Sequence, residues 1–260
     1  MFGIAELRYG IAVAETIQSV ERAAAILRLL AAGPRQLGVA ELARAMGLPK
    51  GTLHGILRTL VHVGFVEQDD NTGKYRLGAT LLHLGSSYLD VNELRTRSLN
   101  WADALAGRSR ESVWIGTLHE GQVLIVHHVF RPDDSMQALQ VGAMLPVHAT
   151  ALGKVLLAFD PYGSAPDTLE RFTEHTVTTA GDLEEELESV RRRGWAADLE
   201  ELTEGEVSIA APIRDRQGIV VGAIGVHGAV ERLAGDAGPR MELVSYVRDA
   251  ARAITRDLSR

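Results

Sequence analysis

The 260-residue sequence contains no cysteine, which removes disulfides and thiolate chemistry and agrees with a cytoplasmic location. It has no uncharged apolar run of about 18 residues or more, so no membrane-spanning helix is expected. The opening stretch places Glu6 before its first basic residue, Arg8, and so lacks the basic start of a secretory signal. Catalytic motifs are missing as well. The nine histidines include no His-x-x-x-His or His-Glu-x-x-His pair. His127 and His128 are consecutive on an expected strand, so they point to opposite faces and cannot chelate one metal. There is no Gly-x-Ser-x-Gly elbow, phosphate loop or strand-following Gly-x-Gly-x-x-Gly. Gly222-Ala223-Ile224-Gly225 opens no helix and reads as sheet packing. The sequence predicts no catalytic residue, no metal and no cofactor.

What is present suits a globular protein, with 46% apolar residues and a net charge of −7. The charge is unevenly spread. Residues 19–80 carry eight basic and five acidic groups, a balance of +3, which leaves −10 for the remainder. An acidic chain with a basic N-terminal module suits a DNA binder joined to a separate sensing domain.

In that module Ser19 is placed to cap a first helix reaching about Ala32, with Val20, Ala23, Ala24, Leu27 and Leu30 as its apolar face. Gly33-Pro34 stops it. A second helix runs from Val39 to Met46, where Gly38 and Glu41 make half a capping box. Gly47 breaks the helix, and a third helix begins at Pro49 and continues to about Val63. This is helix-turn-helix spacing. Ala43 falls where the helices approach closely, Gly47 falls at the turn, and Leu42, Met46, Leu48, Leu53 and Ile56 face inward. The outward positions of the third helix are Lys50, Gly51, Thr52, His54, Gly55, Arg58 and Thr59, which are small residues or donors, as a major groove requires. Arg22 on the first helix joins these candidate DNA contacts. Two short strands follow, 64–68 and 74–77, around a turn at Asp70-Asn71-Thr72-Gly73. Period-two alternation buries Tyr75 with Leu77 and offers Lys74 with Arg76 to phosphate.

The runs Gln18-Ser19-Val20-Glu21-Arg22-Ala23, Gly47-Leu48-Pro49-Lys50-Gly51-Thr52 and Tyr75-Arg76-Leu77-Gly78 resemble IclR-type transcriptional regulators. Pro146 to Lys154 and Ile209-Ala210-Ala211-Pro212-Ile213 continue the resemblance, which covers residues 18–258 in order. It implies a two-domain chain: an N-terminal winged helix-turn-helix, mainly α, and a C-terminal α/β GAF-like effector-binding domain with a mostly antiparallel sheet. There are departures. Many members carry arginine at the position of Gly55 and cysteine at that of Ser208.

Residues 1–17 are expected to form an arm, 18–78 the DNA-binding domain, 79–99 a linker helix and 100–260 the effector domain. The apolar residues Leu81, Leu82, Leu84, Tyr88, Leu89 and Leu94 support one long helix from Leu77 to about Leu99, with Gly78 and Gly85 as weak points. Such a connector often joins the halves of a dimer, and a homodimer or tetramer is expected. Beyond it, strands are expected at 112–119, 122–130, 137–141, 195–198, 207–214 and 219–227. Helices are expected at 99–108, 149–159, 183–193 and 240–258, with Asp182 and Glu185 as a capping box and Gly194 as a stop.

The helix starting near Thr150 offers free N–H groups to an anion, and Ala151, Leu152 and Gly153 leave those amides unobstructed. The family resemblance places the effector there and adds Asp198, Ser208, Gly225 and His227 as partners. Asp198 and Ser208 can bond ligand hydroxyls, and His227 can donate to an anionic group. Within the family, Lys50 to Leu60, Val129 to Ser135 and Gly228 to Leu233 most resemble regulators of glycerol operons. That implies a repressor of a glycerol catabolic operon whose effector is glycerol 3-phosphate or glycerol, with double-stranded operator DNA as the other partner. A small carboxylate suits the same amides, and a scaffold with no DNA role is the remote alternative.

Overall fold

A computed structural model describes residues 16–32, 36–91, 93–133, 135–160 and 166–260. Most of the expected N-terminal arm and the Gly33-Pro34 stop lie outside them. The chain divides into two compact units, 1–88 and 89–260.

The first unit contains α1 (Gln18–Ala32), α2 (Val39–Met46), α3 (Lys50–His62), β1 (Val66–Gln68), β2 (Tyr75–Leu77) and the start of α4 (Ala79–Val91). Its core joins Ile26 and Leu30 of α1 to Leu42, Leu53, Leu57, Leu60, Val66 and Tyr75. Gly47 ends α2 in the left-handed conformation, φ 60°, and its N–H reaches back to Ala43 and Arg44 carbonyls. Gly38 N–H donates to the Glu41 carboxylate at 2.6 Å, the expected half capping box. The wing strands pair antiparallel, Glu67 opposite Arg76, and Leu37 adds a bridge to Tyr75.

Three local expectations need correction. Helix α1 begins at Gln18, so Ser19 lies inside it rather than capping it. Its buried face centres on Ile26, while Val20 in the first turn extends past the core and is 62% exposed. On β2, Tyr75 is buried in the core but Leu77 is 36% exposed, so only one of the expected pair is buried.

The second unit starts with α5 (Glu93–Ser109). The expected connector falls on α4 and the start of α5, and Asn92 between them lies outside the described residues. A six-stranded antiparallel sheet follows, in the order β5-β4-β3-β8-β7-β6. Its strands are β3 (Ser112–His119), β4 (Gln122–Val129), β5 (Met144–Pro146), β6 (Ala196–Leu199), β7 (Glu206–Arg214) and β8 (Val220–Ala229). Helix α6 (Ala151–Phe159) and α7 (Ala180–Arg193) cover one face. Helix α5 and α9 (Met241–Leu258) cover the other, closing a core of Val113, Ile115, Ile209, Ile224 and Val247. A short turn of helix, α8 (Val230–Leu233), and the two-residue strands β9 (Ala234–Gly235) and β10 (Gly238–Pro239) precede α9. The mainly antiparallel α/β architecture is the one expected.

Two further expectations differ. Residues 137–141 form no strand. Gln137 instead exchanges hydrogen bonds with the Arg131 backbone, and the Gln140 N–H donates to His128 Nδ1 at 3.2 Å, so side chains satisfy this segment in place of a ladder. Helix α7 is capped by Thr179, whose Oγ1 accepts from Asp182 N and donates to the Asp182 carboxylate. Asp182 is thus three residues inside the helix, not its cap.

Candidate nucleic-acid interface and effector cavity

Helix α3 buries Leu53, Leu57 and Leu60 and exposes Lys50, Gly51, Thr52, His54, Gly55, Arg58 and Thr59. The expected reading face is therefore one continuous exposed surface. Between it and the wing runs a groove of about 480 Å3 lined by His54, Arg58, Gln68 and Tyr75, with Gly51 and Gly55 on its rim. A Cβ at Gly55 would meet no atom of the described residues within 4 Å, so none of them requires glycine there. The Thr59 hydroxyl donates to the Gly55 carbonyl and is left as an acceptor only. Lys74 stands exposed at the wing turn, which Asp69 organises by accepting from the Asn71 and Thr72 N–H groups. Arg76 differs. It is bound to Glu67 at 2.9 Å, and the same carboxylate accepts from Ala79 N–H at the start of α4. These bonds, the Ala79 one first, hold the Glu67 carboxyl below its usual range. Arg22 is half-buried on α1.

In the second unit Thr150 caps α6. Its Oγ1 accepts from Gly153 N–H at 3.2 Å and donates to the Pro146 carbonyl at 2.8 Å. Gly153 has no alternative, because an added Cβ would overlap the Val147 backbone. The Ala151 N–H donates to Ser208 Oγ at 3.3 Å, and Ser208 donates in turn to Asp198 at 3.2 Å. The other Asp198 oxygen accepts from Glu201 N–H at 2.7 Å. Two of the expected amides at the helix start are therefore not free: Ser208 takes that of Ala151 and Thr150 that of Gly153. Asp198 is 5% exposed, and burial pushes its carboxyl up to about 6.

Six of the seven expected effector residues, Thr150, Leu152, Asp198, Ser208, Gly225 and His227, line one cavity. Ala151 reaches them through its bond to Ser208. The cavity is only about 20 Å3, room for about one water. Trp114 closes it, stacked on His227, whose Nε2 lies 3.3 Å from Glu206 and so faces a carboxylate already. On the far side of that stack an open cleft of about 480 Å3 is bordered by Ser112, His128, Arg131, Gln137 and Arg232. Because Gln140 donates to His128 Nδ1, the ring proton sits on Nε2 and points at Ser112 Oγ, 2.8 Å away. Burial, then His127 and His227, depress His128 to about 4, which keeps it neutral.

Sequence reasoning missed the buried pair beneath this site. Lys154, 2% exposed, bonds Glu201 at 2.5 Å and the Ala197 carbonyl at 3.3 Å. Its signal was a lysine inside the otherwise apolar Ala151–Phe159 helix. Burial raises the Glu201 carboxyl, and its second oxygen has no partner among the described residues. Among the described residues no group of three or more metal-ligating side chains assembles, and no helix is long and apolar enough to cross a membrane.

Comparison with known proteins accounts for both units. Residues 19–70 match the IclR helix-turn-helix domain, and residues 86–256 match the bacterial transcriptional regulator IclR C-terminal family. The chain is 58% identical over 250 residues to the glycerol operon regulatory protein of Streptomyces coelicolor, covering 95% of this chain and 98% of that one. It is 57% identical to the protein of the same name from Streptomyces griseus, with the same coverage. An IclR homologue from Microbacterium hydrocarbonoxydans, solved in complex with 4-hydroxybenzoate, superposes with a TM-score of 0.77 at 26% identity, over 93% of this chain and 99% of that one.

Proposed function

As the chain belongs to the IclR family of DNA-binding bacterial transcriptional regulators, we propose that it represses a glycerol catabolic operon and that glycerol 3-phosphate relieves the repression. The similarity to two glycerol operon regulatory proteins supports the operon. The observation that carries the effector is the convergence of Thr150, Ala151 N–H, Ser208 and Asp198 on one cavity at the start of α6.

Lys50, Thr52, His54 and Arg58 read base edges, with Gly51 and Gly55 allowing close backbone approach and Thr59 accepting at the rim. Lys74 and Arg22 neutralise phosphates, and Arg76 does so by exchanging Glu67 for DNA. Two chains, or two pairs of chains, supply the paired recognition helices that operators require. The chain works without catalysis or cofactor, by binding alone, in the cytoplasm.

The closed cavity is too small for the effector. The ligand phosphate therefore displaces Ser208 from the Ala151 amide and takes the helix start, while the polyol end parts Trp114 from His227 and enters the cleft. The joined space matches ligand pockets, which run to roughly 300–1,000 Å3. Because only the opened arrangement accepts the ligand, ligand binding shifts the population between the two. Calorimetry with glycerol 3-phosphate, glycerol and 4-hydroxybenzoate, paired with operator release, tests the reading. Saturable glycerol 3-phosphate binding that frees DNA is expected. Release by the carboxylate alone would replace the effector, and operator affinity insensitive to salt would remove the DNA role.

A further inference from the structure

The arginines beside α9 take no part in this reading. Arg248, Arg252 and Arg256 recur every four residues along one stripe of that helix, rising about 6 Å per step. With Arg214 of β7 they line an open groove of about 410 Å3. Its floor is small and apolar, from Ala211, Pro212 and Ala251, and no acidic side chain among the described residues lines it. That is a notable concentration of positive charge in a chain of net charge −7.

The four are not consumed by internal bonds. Arg214 is fixed by the Gly218 carbonyl at 2.8 Å and lies over the Phe159 ring, which holds its guanidinium in place. Arg252 only grazes Asp249, at 3.9 Å. Arg248 and Arg256 have no ion pair among the described residues. Like charges four apart on a helix repel. The helix dipole accounts for Arg256 in the last turn, but not for Arg248 two turns earlier.

We propose that this groove binds a compact anion carrying two or more negative charges, of the diphosphate or small polycarboxylate class. Guanidinium forks match both oxyanions bidentately, and the volume falls within the range of small-molecule sites. Among the described residues no aromatic side chain lines the groove, so they offer no platform for a base. A DNA duplex is disfavoured because it would face the whole acidic surface outside residues 19–80, which totals −10. A compact anion feels mainly the four arginines within a screening length of about 8–10 Å.

Calorimetry on the full-length protein at physiological salt tests this, with inorganic diphosphate and citrate as separate probes. One saturable site per chain is expected for at least one probe, weakened tenfold or more by Arg248→Ala with Arg252→Ala. Arg248→Lys should restore only part of the affinity, and circular dichroism checks that each variant is folded. No saturable binding by either probe overturns the proposal. So does binding that survives the double arginine variant, or that is lost with Thr150→Val instead, since the anion then sits at α6. Failure of glycerol 3-phosphate to bind at α6 would leave the arginine result standing, so the two readings fail separately.

Discussion

Trp114 and His227 lie face to face, ring centroids 4.1 Å apart and planes 16° from parallel, as the partition between a closed cavity and an open cleft. Opening the site must break this stack, which contributes about 0.5–1.5 kcal/mol beyond its buried area. In a variant retaining Trp114 as the single tryptophan, effector should shift the emission to longer wavelength. An unchanged spectrum at saturation would mean that the ligand enters without separating the rings.

The buried pair beneath the cavity gives a stability test. Lys154→Met leaves the Glu201 carboxylate buried without its cation and should destabilise the chain by about 3–5 kcal/mol in denaturant titrations. Adding Glu201→Gln to it should recover much of the loss, because the uncompensated charge is gone. If the single substitution is neutral, the pair is not buried in solution.

Acid titration should expose two opposed contributions. Asp198 is raised from 3.8 to about 6, so the stability it confers is full below its unfolded pKa and lost as pH climbs through about 6. Glu201, also raised, acts in the same sense. His128 is lowered from 6.5 to about 4, so its contribution is full above its unfolded pKa and lost as pH falls through about 4. At ~1.4 kcal/mol per pKa unit each shift amounts to about 3 kcal/mol, and the two largely cancel between them. Asp198→Asn should therefore make stability rise more with pH between about 4 and 6.5 than it does in the parent chain. His128→Gln should leave it falling over the same interval. Parallel profiles for the two variants would contradict this assignment.

On the DNA side, Arg58→Ala should lower operator affinity by about 1–3 kcal/mol if it reads a base. Lys74→Ala should instead weaken all sequences alike and reduce the salt slope by about 0.9. Gly55→Ala separates two explanations of the glycine. Its Cβ meets nothing among the described residues, so the helix should gain up to about 1 kcal/mol. A simultaneous fall in operator affinity assigns the glycine to close approach by DNA, and unchanged affinity discards that role.

The helix-turn-helix was legible because its signals are local: Gly47 after Met46, the small Ala43, and leucines at helical spacing on α3. The sheet was legible for the same reason, strand by strand. What escaped depends on long-range packing. Nothing near Leu77 shows that it will stay exposed beside buried Tyr75, and nothing near Gln137 reveals that His128 will take the Gln140 amide. The effector residues came from family resemblance, which brought Asp198 and Ser208 to one cavity. It could not show that the Ser208 hydroxyl would occupy the helix start, since that bond joins Ala151 to Ser208 across 57 positions. Lys154 was visible as an oddity, but its partner Glu201 lies 47 residues away.

The Glu67 carboxylate is shared, one oxygen with Arg76 of the wing and the other with the first amide of α4. A phosphate that captures the Arg76 guanidinium frees half of that carboxylate's bonding capacity and leaves the rest on the helix. The wing and α4 thus draw on a single anionic hinge pin, and whatever grips one loosens or tightens the seating of the other. On the proposed Arg76–phosphate contact, operator binding would therefore reach the first turn of α4 through one carboxylate.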